Sequence, residues 1–259
     1  MKNIFDNKRI VNAMRLIKIA QDYGKSFLDI FYPRHCLLCS DPLSFGEELI
    51  CPTCSRAVIF TKDPFCKKCA RPLVVSVGGR DGCYTCKSEK LPFEQLIALG
   101  IYEGDLKKCI HALKFEKKEY ISKWFSDALV SFIESYSINI RNYDCIVPVP
   151  MHPLRKKERG FNQAELIARS LSKKLQIPYA RGVLKRVKIG EVQSGLNKKK
   201  RQQNVEDAFV VTSPDVIKNN TVLLVDDIYT TGATVQSAAR LLRVNGARKV
   251  SVCVLARGV

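Results

Sequence analysis

Apolar residues along this chain occur in two ways, as short uninterrupted runs and as stripes at helical spacing. Ile97 to Tyr102, "DCIVPVP", Val222 to Val225 and "KVSVCVLAR" are short β-rich runs that read as strands. Between them lie helical patterns. One starts near Leu106 and carries "KKCIHALKF"; a second, Lys123 to Ser135, sets Trp124, Phe125, Ala128, Leu129 and Phe132 at three- and four-residue steps. A third is "AELIARSLSKKL". The last, "QSAARLLRVNG", stops at Asn245-Gly246, a pair suited to a helix terminus. Strands alternating with helices of this length predict βαβ crossovers and an α/β fold with a mainly parallel, doubly wound sheet. Ligands of such sheets bind beyond the carboxyl ends of the strands.

The residues before this body follow another pattern. From Cys36 to Cys86 large apolar residues are too few for an unaided core, and eight of the 11 cysteines form four C-x-x-C pairs. These are Cys36/Cys39, Cys51/Cys54, Cys66/Cys69 and Cys83/Cys86. A two-residue spacer lets a tight turn aim two sulfurs at one point, and two such turns supply a tetrahedral Zn²⁺ site. Gaps of 11 and 13 residues inside the first and second couples suit two consecutive zinc ribbons, whose metal would supply most of the folding free energy. An interleaved pairing, first with third and second with fourth, stays open. A disulfide framework or a redox pair fits less well, since nothing looks secreted and no βαβ context surrounds the pairs. Cys109, Cys145 and Cys253 sit among apolar neighbours and read as buried small hydrophobes. The expected division is a helical segment over 1–33, a small double zinc ribbon over 34–90 and the α/β domain over 91–259.

Charge narrows the partners. Against 25 Asp and Glu stand 43 Lys and Arg, a formal net charge of +18, which favours polyanions such as nucleic acid, anionic lipid or phosphorylated small molecules. The ribbon region carries Lys67, Lys68, Arg71 and Arg80, suited to phosphates, although such modules also serve as scaffold or protein docking surface. No apolar run is long enough to span a membrane, so a cytoplasmic location is expected. Ile10, Val11, Met14, Ile17 and Ile19 leave open a peripheral, amphipathic contact at the inner face of a membrane.

"VLLVDDIYTTGATV" concentrates the chemistry. Two aspartates, Asp226 and Asp227, directly follow an apolar strand; side by side they repel and need a proton, a cation or hydroxyl donors. The vicinal hydroxyls of a ribose meet that need. Thr230, Thr231, Gly232, Ala233 and Thr234 then lead into a helix whose unpaired backbone N–H groups receive an anion, with Gly232 allowing close approach. Acceptors for sugar hydroxyls next to donors for a phosphate describe a clamp for ribose 5-phosphate. The reading requires the acids to face a crevice instead of turning inward onto a lysine.

This segment resembles the 5-phosphoribosyl 1-pyrophosphate (PRPP) motif of type I phosphoribosyltransferases. The resemblance implies that Asp226 and Asp227 hold the ribose hydroxyls, that residues 230–234 cradle the 5-phosphate, and that Mg²⁺ rides on the pyrophosphate. It also places pyrophosphate at the basic loop after "IVPVP", where Arg155, Lys156, Lys157 and Arg159 supply cations; a merely solvated basic face is the alternative. The polar, aperiodic segment from Lys185 to Asn204 resembles the catalytic flexible loop of these enzymes, with Lys185, Arg186, Gln193 and Arg201 as its candidates and Asn204 as a further one. "NKKKR" within it could equally track nucleic-acid phosphates.

From Cys36 to Arg257, the four C-x-x-C pairs, "IHALKF", "VPVPMHPLRKKERGFNQAELIA", "LKRVKIGEVQSGLNKKKRQQNVEDAF" and the PRPP motif follow the order of the ComF (ComFC/GntX) family of bacterial competence and DNA-utilisation proteins. The likeness implies a role in natural transformation or use of external DNA, and the zinc ribbon with the basic loops makes single-stranded DNA the expected nucleic-acid partner. No Asp or Glu stands out as the base that would activate an acceptor. An inactive DNA-binding adaptor that docks an uptake helicase or other competence partner is therefore the rival expectation.

Overall fold

The computed structural model describes residues 35–44, 49–58, 60–73, 83–115, 120–187 and 208–258. Of the expectations above, those on residues 1–33, Arg80, Gln193, Arg201 and Asn204 lie outside the described residues. The chain divides into two compact units, residues 1–58 and 59–259. The smaller contains the first two cysteine pairs and helix α1 (Pro52–Ala57), which starts where the Cys51 side chain accepts a hydrogen bond from the Cys54 N–H.

The larger unit contains α2 (Tyr84–Ser88) and then a four-stranded sheet in the order β1-β6-β5-β2, every neighbouring pair parallel. Its strands are β1 (Leu96–Ile101), β2 (Cys145–Pro148), β5 (Thr221–Tyr229) and β6 (Lys249–Arg257). Helices α3 (Gly104–Phe115) and α4 (Ile121–Ser135) join β1 to β2. After β2 come α5 (Pro153–Arg159) and α6 (Gln163–Leu175), and α7 (Ala233–Val244) joins β5 to β6. Strands β3 (Leu184–Arg186) and β4 (Phe209–Val211) form a separate antiparallel pair.

Continuous apolar runs make sense for strands covered on both faces. Val222, Leu224, Val250, Val252 and Val254 share one core with Val235, Ala238, Ala239 and Leu242 of α7. Helix α6 packs against β5, β2 and α4. The edge strand β1 is itself covered by the chain that precedes it. Thr61 N–H donates to the Leu99 carbonyl (2.8 Å), and Leu96 N–H donates to the Lys68 carbonyl (2.9 Å). The third and fourth cysteine pairs thus belong to the unit of the sheet.

Three local expectations are corrected. The strand carrying the aspartates does not end at Val225: it runs on to Tyr229 because β6 continues beside it, pairing Asp226 with Val254, Ile228 with Ala256 and Tyr229 with Arg257. On the other side β2 stops at Pro148, opposite Val225, and the crevice opens there. Second, the basic loop after β2 is helical from Pro153, with His152 capping the Leu154 N–H (3.3 Å). Third, Lys185 and Arg186 lie on β3, where antiparallel pairing with β4 holds them, and not in an aperiodic loop.

Candidate functional site

At the carboxyl edge of the parallel strands a cavity of about 280 Å³ is lined by Asp226 and Asp227 from β5, Thr230 and Thr234 beyond it, Arg155 and Arg159 from α5, and Arg186 from β3. The same wall includes Lys114 of α3 and Gln163 of α6. Helical geometry explains the selection among the basic residues. Arg155 and Arg159 are four apart and share a face of α5. Lys156 instead pairs with Glu165 (2.9 Å), and Lys157 is exposed outside the cavity lining. Lys185 is exposed on β3 and is likewise absent from the lining.

Asp226 and Asp227 are distinguished by their partners. Asp226 Oδ1 accepts the backbone N–H of Asp227 (2.8 Å). Burial first, and the neighbouring charge of Asp227 second, push its carboxyl up to about 7. Asp227 Oδ2 lies 2.8 Å from Lys114 Nζ. One of the two acids is therefore bonded to a lysine, yet acid and lysine both line the cavity, so the pair faces the crevice.

The turn after β5 is shaped by Gly232, with φ +80°, which caps the N-terminus of α7. A Cβ at this position would overlap Cζ and Oη of Tyr229 and lie 2.7 Å from Gln236 Nε2. Tyr229 Oη in turn accepts from Gln236 Nε2 (3.1 Å). Thr231 Oγ1 meets the Ala233 N–H at 3.5 Å, and Thr231 lines a different cavity. Thr230 borders both.

Lys114 and Gln163 are functional candidates that sequence reasoning missed. Gln163 is 1 % exposed; its Oε1 accepts from Arg159 Nη1 (2.9 Å), and its Nε2 has no hydrogen-bond partner. The Arg159 donor fixes which end of the amide is oxygen, so the orphan is a donor. Arg186 Nε is a second buried donor without a partner. Burial draws the guanidinium of Arg186 down from its usual value, reinforced by nearby Arg155 and opposed by Asp226. Burial does the same to Arg159, opposed by Asp227. Orphaned donors and desolvated cations around one cavity call for an anion or polar oxygens there. The signal available for Gln163 was the capping Asn162 before it, whose Oδ1 accepts from the Ala164 N–H (3.2 Å) and so aligns the first turn of α6.

The cysteines assemble sequentially. Cys36, Cys39, Cys51 and Cys54 form one tetrad and Cys66, Cys69, Cys83 and Cys86 another, each with its sulfurs within 4.8 Å of one another. Tetrahedral Zn²⁺ with bonds of about 2.3 Å requires sulfur separations of about 3.8 Å. Observed values are 3.8 Å for Cys39–Cys51, 3.9 Å for Cys66–Cys86 and 3.7 Å for Cys69–Cys83. Backbone N–H groups of Cys51 (3.4 Å) and Cys83 (3.2 Å) point at the sulfurs of Cys36 and Cys66, as thiolate ligands need. The residues fit the metal. Burial pushes the Cys145 thiol up to about 11 and the Cys253 thiol up to about 12, while Cys109 is fully enclosed.

Residues 27–87 match the double zinc ribbon domain and residues 157–258 the phosphoribosyl transferase domain. Competence protein F of Haemophilus influenzae is 32% identical over 178 residues, 68% of this chain and 78% of that protein. The DNA utilization protein YhgH of Escherichia coli strain K12 is 32% identical over 227 residues, which cover 87% of this chain and 97% of the relative. Competence protein ComFC of Bacillus subtilis strain 168 is 33% identical over 158 residues, 60% of this chain and 61% of its own.

Proposed function

The chain belongs to the ComF family of competence and DNA-utilisation proteins, and we propose that it binds PRPP in the cavity at the carboxyl edge of β5, in the service of DNA uptake or utilisation. One observation carries this reading. Hydroxyl acceptors (Asp226 and Asp227), threonines at a helix N-terminus (Thr230 and Thr234) and three guanidiniums (Arg155, Arg159 and Arg186) border the same 280 Å³. The acids take the ribose hydroxyls, the N-terminus of α7 takes the 5-phosphate, and the guanidiniums take the pyrophosphate.

Mg²⁺ bound to the pyrophosphate would supply further neutralisation of the leaving group. Asp226 and Asp227, the carboxylates among the cavity-lining residues, are the groups that would face it. Arg155 and Arg159 meet negative charge that grows as pyrophosphate departs, in a site where burial strengthens every such contact. Gln163 Nε2 offers a donor with no competing partner.

The test is calorimetry of PRPP with Mg²⁺ against wild type and the Asp226→Ala, Asp227→Ala double variant. Binding lost in the variant supports the reading; equal affinities would defeat it. A screen for pyrophosphate release across nucleobases, amines and single-stranded DNA then separates an enzyme from a PRPP-binding adaptor.

Single-stranded DNA binding is the second part of the proposal, supported by the net charge of +18 and by Tyr84, 88 % exposed on the fourth cysteine pair. An exposed ring beside Lys87 offers a stacking platform with a phosphate contact. Affinity should fall steeply between low and moderate salt. Absence of binding at low salt removes this part and leaves the PRPP site standing.

A further inference from the structure

The second cysteine tetrad and the turn that receives the phosphate are joined by one buried side chain. Arg257, the last residue of β6, is 6 % exposed, and its Nη1 donates to the backbone carbonyl of Cys69. Its guanidinium also lies over the ring of Tyr229, 5.7 Å from the centroid. Among the described residues no carboxylate pairs with it. Four thiolates around one Zn²⁺ leave a net negative charge, and a buried guanidinium bonded to a ligand residue's own carbonyl is the matching outer partner.

Tyr229 continues the connection. Its ring meets Phe93 edge-on at 6.1 Å, its hydroxyl is held by Gln236, and its tip occupies the space beneath Gly232. Gly232 caps α7, so the height of that ring sets where the α7 N–H groups point. Around this line the packing is open. A cavity of about 370 Å³ is lined by Cys69 and Cys86 together with Thr230 and Thr231. Movement of the knuckle therefore reaches the turn through Arg257 and Tyr229 more directly than through filled core.

We propose that Arg257 is a positioning residue that couples the metal-loaded second tetrad to the phosphate-binding turn, so that zinc in this tetrad tunes affinity for a ribose 5-phosphate group. The proposal rests on the reading of the cavity given above. Loss or distortion of the tetrad moves the Cys69 carbonyl, leaves a buried cation short of an acceptor, and lets Tyr229 and the turn relax together. The pyrophosphate end, held by α5, lies outside this path.

The experiment uses the full-length, zinc-loaded protein and two probes, ribose 5-phosphate and inorganic pyrophosphate, titrated calorimetrically. Arg257→Met should lose about tenfold in affinity for ribose 5-phosphate, keep pyrophosphate affinity within about twofold and retain its zinc by mass spectrometry. Arg257→Lys, which can still donate to the carbonyl and sit over the ring, should recover most of the loss. Exchange of zinc for the larger Cd²⁺ should shift ribose 5-phosphate affinity in wild type and have no effect in Arg257→Met. Equal losses for both probes, an unchanged Arg257→Met, or a wild type indifferent to Cd²⁺ would each overturn the coupling. The Cd²⁺ comparison in wild type decides the matter even if the Met variant misfolds. A wild type that binds neither probe instead refutes the cavity assignment and takes this inference with it.

Discussion

Lys114 Nζ and Asp227 Oδ2 stand 2.8 Å apart, their side chains only 16% and 17% exposed. They come from α3 and β5, and Asp226 is the next residue along. The lysine is thus the resident counter-ion of a like-charged pair. Its value should fall between that of an exposed and a fully buried ion pair.

Lys114→Met should accordingly cost about 1–3 kcal/mol in urea unfolding at neutral pH. The uncompensated acids should then welcome a divalent cation. Millimolar Mg²⁺ should raise the melting temperature of the variant more than that of wild type, as read by differential scanning fluorimetry. Identical Mg²⁺ shifts would mean that Lys114 does not hold the acids together.

Asp226 predicts a pH signature. Burial, aided by Asp227, raises its carboxyl to about 7, well above the value of about 3.9 for an unfolded chain. A raised folded value means that the protonated form carries the stability: the contribution is complete below about pH 4 and is lost as pH climbs through 7. Asp226→Asn should therefore match wild type at pH 4 and become the more stable of the two by pH 8, in parallel urea titrations. Ribose 5-phosphate affinity of wild type should move the opposite way, rising through pH 7 as the hydroxyl-accepting carboxylate forms. Flat profiles in both measurements would contradict the enclosure of Asp226.

Gly232→Ala combines a left-handed backbone with a Cβ that overlaps Tyr229. Strain of about 1–2 kcal/mol from the backbone alone, plus displacement of the ring, should lower the melting temperature by several degrees. Ribose 5-phosphate binding should vanish while zinc content stays constant. Retained binding would show that the turn does not receive the phosphate.

The two tetrads differ in enclosure. Cys39 is exposed and Cys51 and Cys54 are half-buried, whereas Cys66, Cys69, Cys83 and Cys86 are all buried. A chelating dye should extract zinc in two phases of equal amplitude, the faster from the first tetrad. Cys39→Ser should remove the fast phase and leave the slow one. A single phase would mean that exposure does not govern release.

Local chemistry was readable from the sequence because it depends on near neighbours. A two-residue spacer fixes the aim of two sulfurs whatever surrounds them, helical stripes mark α4 and α6, and the Asp-Asp pair before a threonine-glycine turn encodes its own donors and acceptors. Where a neighbouring strand intervened, the local reading ran short. Nothing near Val225 announces that β6 keeps pairing as far as Tyr229, since that hydrogen bonding comes from residues 254–257.

The amino-acid order by itself therefore determined the cysteine knuckles, the alternation of strands and helices and the acid-turn-helix segment, each a matter of spacing within a few residues. The tertiary structure alone decided that knuckles pair in sequence, that the basic run splits into Arg155 and Arg159 toward the cavity and Lys156 toward Glu165, and that Lys114 meets Asp227, Gln163 meets Arg159 and Arg257 meets the Cys69 carbonyl. Lys114 reaches Asp227 across 113 positions and Arg257 reaches Cys69 across 188, and no periodicity records contacts between segments so far apart. They exist because the parallel sheet brings the carboxyl ends of β5 and β6 beside a helix end and a cysteine knuckle that lie far off in the sequence.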